Sequence, residues 1–172
     1  MKKIPGLTKP DSSLAEASLN KKIIYFLSTT FWTGHLPASG TWGSLVAWLI
    51  HAIFFPAFFL VDNWINASIA ILGIFGLGVY CAEITERMTG VKDDSRVTID
   101  EVAGYFITVF TLPEGWYYSA AGFLLFRIMD IIKPPPAQQL QDMHGGLGIM
   151  IDDAIAGIYS MVIIHILLFF IG

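Results

Sequence analysis

At 172 residues, with 55% hydrophobic and only 14% charged residues, the chain is the size of one domain and too apolar for an ordinary soluble one. Its mean hydropathy of +0.63 points to a polytopic membrane protein. A net charge of -4 argues against a nucleic-acid partner, because phosphate-backbone affinity needs clustered Lys and Arg, and a single cysteine, Cys81, excludes an internal disulfide.

Residues 1–22 are polar and carry five lysines together with Asp11 and Glu16, which reads as a cytoplasmic N-terminal tail; residues 23–172 form a single membrane-embedded domain. The apolar run Ile23 to Phe31 is too short to span a bilayer. A signal peptide cleaved near Ala38-Ser39-Gly40 is the competing reading, opposed by the long and partly acidic lead. Thr33 to Ser44 reads as a loop of small and hydroxyl residues running into an apolar segment. Gly40, Thr41 and Ser44 could offer N–H groups and hydroxyls to an anion, or the stretch could be only a turn with Thr41 or Ser44 as helix N-cap. It is not a Walker loop, for no Lys follows the glycines.

Leu45 to Val61 is the first spanning candidate, with a kink expected at Pro56, and Ile65 to Ala82 is the second. Glu83, Glu86, Arg87, Lys92, Asp93, Asp94 and Arg96 then read as a charged surface loop. Val97 to Leu112 and Trp116 to Ile132 follow, each about 25 Å long as a helix, short against a hydrocarbon core of about 30 Å. Either Pro113 kinks one long span, or Pro113-Glu114-Gly115 is a turn that returns Asp130 to the side of Asp100. With the turn and a last span from Ile151 to Ile171, the outer loops hold no Lys or Arg and all ten basic residues fall inside. The expectation is therefore an all-α membrane bundle of about five helices, the third and fourth a short hairpin, with a cytoplasmic N-terminus.

That topology gathers Glu83, Glu86, Asp93, Asp94, Asp100, Glu101, Asp130, Asp142, Asp152 and Asp153 on one cytoplasmic face. Arg127, Asp130 and Lys133 recur at i, i+3, i+6, so they share a helix face that Pro134 ends. Asp152 and Asp153 open the last apolar segment, where an acid can simply cap a helix N-terminus or can bind metal. A carboxylate cluster without cysteine suits a hard cation such as Mg²⁺, and Arg127 and Lys133 suit phosphate oxygens. Phosphoryl chemistry at a membrane surface, a structural ion-pair network and an ion pathway all remain compatible with these charges. His51 and His165, inside apolar spans, read as packing residues, whereas His144 lies near the acids. No paired-histidine, Asp-x-Asp or long multi-aspartate signature is present.

Four motifs in order resemble the phosphatidylglycerophosphatase A family: Gly40-Thr41-Trp42-Gly43-Ser44, Ile99-Asp100-Glu101-Val102-Ala103-Gly104, Phe126 to Pro134, and Gly145 to Asp153. The resemblance covers about residues 24–170, with Ser39 and Pro135 standing where the family commonly has proline and an aromatic. It implies a Mg²⁺-dependent phosphatase of the bacterial inner membrane, multi-pass with a cytoplasmic active site, converting phosphatidylglycerophosphate to phosphatidylglycerol. The residues so implied are Asp100, Asp130 and Asp152 for catalysis, these with Glu101, Asp153 and Asp93 for metal, and Arg127, Lys133, Gly40, Thr41 and Ser44 for the substrate phosphate. The alternative is a small divalent-cation transporter or binding protein, which would place acids through the membrane depth. All but Asp62 and Glu114 fall at the inner face, and none at mid-span.

Overall fold

The computed structural model describes residues 17–54, 58–140, 143 and 145–171. Pro56, Asp142, His144 and most of the N-terminal tail lie outside the described residues. Among the described residues seven α-helices run in order: α1 (Leu19–Ser28), α2 (Ser39–Phe54), α3 (Trp64–Thr89), α4 (Ile99–Thr108), α5 (Trp116–Ile132), α6 (Ala137–Leu140) and α7 (Gly146–Ile171). Two 3-10 turns, Thr33–His35 and Val61–Asn63, precede α2 and α3, and no strand occurs among the described residues.

Several sequence expectations shift at helix ends. α1 begins at Leu19, so the last four residues of the polar N-terminal stretch are helical. α2 begins at Ser39, after Ala38 at φ 57, so Gly40 to Ser44 are helical turns and neither Thr41 nor Ser44 is an N-cap. α3 continues to Thr89, which puts Glu83, Glu86 and Arg87 on its last turns rather than in a loop. α4 has only 10 residues, about 15 Å, where a span from Val97 to Leu112 was expected. α7 starts at Gly146, five residues before the expected Ile151, so Asp152 and Asp153 sit in its second turn and cap nothing.

α3 and α7 are long and apolar enough to cross a membrane, the stretch Gly146–Phe170 serving in α7. Their most apolar windows are only 22% and 33% buried, and Ile69, Leu72, Ile166 and Phe169 are among the exposed side chains. An apolar face left this bare needs a non-aqueous neighbour.

The core sits where α4 lies between α2, α3, α5 and α7. Tyr105, Phe106, Val109 and Phe126 are buried there against Ala47, Phe59 and Ala156. Small residues allow the closest approach. A Cβ on Gly157 would come 2.5 Å from the Gly104 carbonyl, and one on Gly104 would come 2.8 Å from the Asp153 carbonyl. The α4 and α7 backbones are therefore in contact, which brings the first turn of α4 beside the second turn of α7. α5 returns after the non-helical Pro113-Glu114-Gly115 and packs on α4 and α7, so Asp130 ends beside Glu101 rather than at the opposite end. The single kinked span does not form.

Candidate active site

Four helices deliver polar side chains to one end of the bundle. Glu101, Asp130 and Asp153, from α4, α5 and α7, each place a carboxylate oxygen within 4.8 Å of the others. Arg127, one turn before Asp130, lies against them: its Nη1 donates to Glu101 Oε2 and forms an ion pair with Asp130 Oδ2 at 3.1 Å. The same Nη1 donates to Ser44 Oγ at 3.2 Å. Ser44, fully buried on α2, has its hydroxyl 3.0 Å from Glu101 Oε2 and 2.8 Å from the Gly40 carbonyl. Thus Glu101 does not face away as a cap; it is the point where α2, α4 and α5 meet.

The second half of the site is an adjoining ion pair. α5 ends at Ile132, and Lys133, at φ 47 and ψ 65, turns the chain so that Nζ reaches Asp152 Oδ2 at 2.6 Å. Tyr159, two turns along α7 from Asp152, donates to the Pro135 carbonyl at 2.7 Å and ties down the proline loop that carries Lys133. Asp100 lies within electrostatic range of Glu101, Asp152 and Asp130, so both members of each adjacent acidic pair border the same region.

Five carboxylates, most of them buried, thus gather with two basic side chains at one end of the bundle. Asp100 Oδ1, Asp152 Oδ1 and Asp153 Oδ2 are buried without a hydrogen-bond partner, as is Arg127 Nε. Buried acceptors in such excess over donors are costly, and a hard cation bound by oxygen would satisfy them. The donor set, all carboxylate with one hydroxyl, fits Mg²⁺ by chemistry and by these orphaned atoms.

Of the remaining sequence candidates, Gly40 is at the site and the other two are not. A Cβ on Gly40 would collide with Glu101 Oε1 and stand 3.2 Å from Arg127 Nη1, so glycine is what lets α2 close over the carboxylate. Thr41 lies on the exposed side of the same turn. Asp93 is exposed in the connection between α3 and α4, outside the gathered carboxylates. Its neighbour Asp94 is buried and accepts from Arg96 Nε at 2.9 Å and from the Arg96 N–H at 3.1 Å. Burial opposes ionisation of Asp94, yet the hydrogen bonds from Arg96 outweigh it and hold the carboxyl below the ordinary Asp value.

Glu83 is a residue the sequence reading left on the surface. Its Oε2 accepts the Gly146 N–H at 2.7 Å while Oε1 pairs with Arg87, so a side chain from α3 caps the helix bearing Asp152 and Asp153. The signal was available. Gly145, at φ 80, has no side chain with which to cap α7, and an uncapped N-terminus asks for an acceptor from elsewhere.

The model of the family described as Phosphatidylglycerophosphatase A matches residues 26–168. A protein of Bacteroides thetaiotaomicron named "Putative phosphatidylinositol-3-phosphatase" is 38% identical over 151 residues, 85% of this chain and 94% of its own. Phosphatidylglycerophosphatase A of Escherichia coli is 37% identical over 153 residues, 86% of this chain and 83% of its own. The Haemophilus influenzae protein of the same name is 34% identical over 144 residues, covering 82% and 86%. No solved structure matches. With the match running through the α2 turn and all three charged segments that build the cluster, the chain belongs to the phosphatidylglycerophosphatase A family.

Proposed function

We propose that the chain hydrolyses phosphatidylglycerophosphate to phosphatidylglycerol and inorganic phosphate, using Mg²⁺, at the cytoplasmic face of a bacterial inner membrane that it crosses several times. Family membership makes it a phosphatase of phosphoric monoesters. The observation that carries the proposal is the convergence of Glu101, Asp130 and Asp153 within 4.8 Å, with Arg127 among them and Lys133 alongside.

In this reading Glu101, Asp130 and Asp153 hold the ion, and the orphaned oxygens of Asp100 and Asp152 complete its shell directly or through water. Mg²⁺ there supplies charge stabilisation to the phosphoryl oxygens. The protein's part is positioning. Arg127 fixes Glu101 and Asp130 in one geometry, Ser44 buttresses Glu101, and Lys133, the more exposed base, turns from Asp152 to a non-bridging phosphate oxygen. The bond broken joins phosphorus to the oxygen of the lipid's terminal glycerol, which leaves with a proton. Asp100, Asp130 or Asp152 attacks phosphorus or takes a proton from the attacking water. Labelled phosphate trapped on an aspartate separates the first course from the second.

Phosphate release by detergent-purified protein, with Mg²⁺ or with chelator, tests the reading. Wild type should turn over phosphatidylglycerophosphate only with the metal, and Asp130→Asn and Asp152→Asn should abolish it. Phosphatidylinositol 3-phosphate belongs in the same assay because a relative bears that activity in its name. A preference for it would replace the substrate and keep the site. No release from any lipid phosphomonoester by folded protein would sink the proposal.

A further inference from the structure

α4 and α7 leave the carboxylate cluster side by side, in contact at Gly104 and Gly157 and again at Thr111 and His165. α4 stops at Thr108 while α7 runs on to Ile171, so the last turns of α7 outrun their neighbour. A groove of about 480 Å³ opens there, between Phe110 and Thr111 on one side and Met161, Val162, Ile166 and Phe169 on the other. Its polar atoms are already engaged. Thr111 Oγ1 and His165 Nε2 are 3.1 Å apart, and His165 Nδ1 lies 2.7 Å from the Met161 carbonyl, so the lining offers hydrocarbon. That volume is typical of a small-molecule site, about 300–1,000 Å³.

The groove lies along the helix that carries Asp152 and Asp153. Tyr159 follows Asp152 by seven residues, two helical turns, and therefore stands on the same face of α7; Val162, Ile166 and Phe169 continue from it at spacings of three and four. All three are exposed. At 1.5 Å per residue Tyr159 lies about 10 Å from Asp152, and Phe169 about 15 Å farther on. Fifteen ångströms is about half the hydrocarbon core, the depth of one leaflet. Ten is roughly the length of the eight bonds that separate a terminal phosphate from the acylated glycerol when a second glycerol and phosphate lie between them, at about 1.5 Å per bond and tetrahedral angles.

We propose that this groove holds an acyl chain of the lipid substrate, and that the headgroup-length gap between Asp152 and Tyr159 sets which phospholipids present their phosphate to the cluster. The inference rests on the phosphatase reading above. A lipid whose phosphomonoester sits directly on the acylated glycerol would, with its phosphate at the Lys133–Asp152 pair, start its chains about 10 Å short of the groove. A lipid with the phosphate one headgroup farther out lays its chain from Tyr159 to Phe169.

Val162→Trp and Ile166→Trp in the full-length protein fill the groove without touching the carboxylates. The ratio of kcat/KM for dipalmitoyl over dihexanoyl phosphatidylglycerophosphate should fall at least tenfold, through KM. Leu72→Trp, on the outward face of α3, should leave the ratio as it is. Equal losses on both chain lengths, or the same fall for Leu72→Trp, would overturn the proposal. A second readout does not need turnover. A substrate analogue with a photoreactive group at the chain end, bound to Asp130→Asn, should label the segment 161–169. If the wild type proves inactive on this lipid, the function fails and the labelling still decides the groove. Labels spread equally over α3, or a Val162→Cys variant that cross-links to a second copy in place of lipid, would show annular contact or an oligomer interface and overturn it.

Discussion

The two ends of the α4–α5–α7 core are built from the same helices and solve the problem of buried polarity in opposite ways. At the far end three polar pairs are neutral and matched: His51 Nδ1 lies 2.9 Å from the Tyr105 hydroxyl, Trp48 Nε1 donates to Ser119 Oγ at 3.2 Å, and Thr111 meets His165. These pairs sit among stacked aromatics such as Phe59 and Phe106, whose ring centroids are 4.8 Å apart. At the near end five carboxylates face two bases, and four buried atoms among them, on Asp100, Asp152, Asp153 and Arg127, lack partners. A matched neutral pair contributes to stability; an unmatched charge detracts from it and persists only where something other than packing requires it. The contrast separates scaffold from site within one bundle.

The sharpest way to break that contrast is Asp130→Asn. If the near end serves chemistry, kcat should fall by about 10²–10³, while the thermal midpoint in detergent stays level or rises because one like charge has gone. A variant that melts well below wild type while its folded fraction keeps the wild-type kcat would make the cluster structural. Gly40→Ala should come next, at about tenfold or more in kcat/KM, since its methyl must displace Glu101 from Ser44 and Arg127. Metal affinity should weaken with it. Asp94→Asn probes a charge that is matched, and should cost about 1.5–3 kcal/mol of stability with little change in turnover.

The sign of its pH dependence follows from the lowered carboxyl. The Asp94–Arg96 contribution is complete above the ordinary Asp value of about 3.9 and is lost as pH falls below it through the folded value. Melting curves in acid should therefore be shallower for Asp94→Asn than for wild type. Tyr105→Phe, at the neutral end, should cost only about 1 kcal/mol and leave kcat within about twofold. A large loss of activity there would erase the distinction between the two ends.

The charged half of this division was legible in the sequence because an ionisable side chain inside an apolar run is costly wherever it occurs, so Asp100, Glu101, Arg127, Asp130, Lys133, Asp152 and Asp153 announce themselves. Their junction was legible too, once the basic residues were counted to one side. Helix ends were not. Gly40 and Gly43 fell in a stretch read as a loop, and Gly146 and Gly148 ahead of the last span expected from Ile151, yet all four lie within helices. The helix penalty of about 1 kcal/mol per glycine is offset by close packing, as where Gly43 meets Thr98 and Gly146 meets the α3 backbone at Val79 and Glu83. Nothing local distinguishes a glycine that turns the chain from one that admits a neighbour. Gly145 signals that α7 needs a cap from elsewhere, but not that Glu83 supplies it, because the two lie more than 60 residues apart. Thr41 and Asp93 matched the expected chemistry by type, but both are exposed, which residue type alone does not reveal.

The ten-residue α4 has a further consequence for how the site can be retuned. It is enclosed by α2, α3, α5 and α7, and its last turn is closed by the Val109 N–H on the Tyr105 carbonyl and the Phe110 N–H on the Ile107 carbonyl, while the Thr111 N–H ties the following turn to the Phe59 carbonyl. So short an element, about 15 Å long and walled in on every side, has no slack with which to absorb an insertion. One residue added between Glu101 and Gly104 would turn Glu101 by about 100° relative to the Gly104–Gly157 contact and carry it out of reach of Arg127 and Ser44, so the spacing of those two positions is as much a part of the site as the side chains themselves.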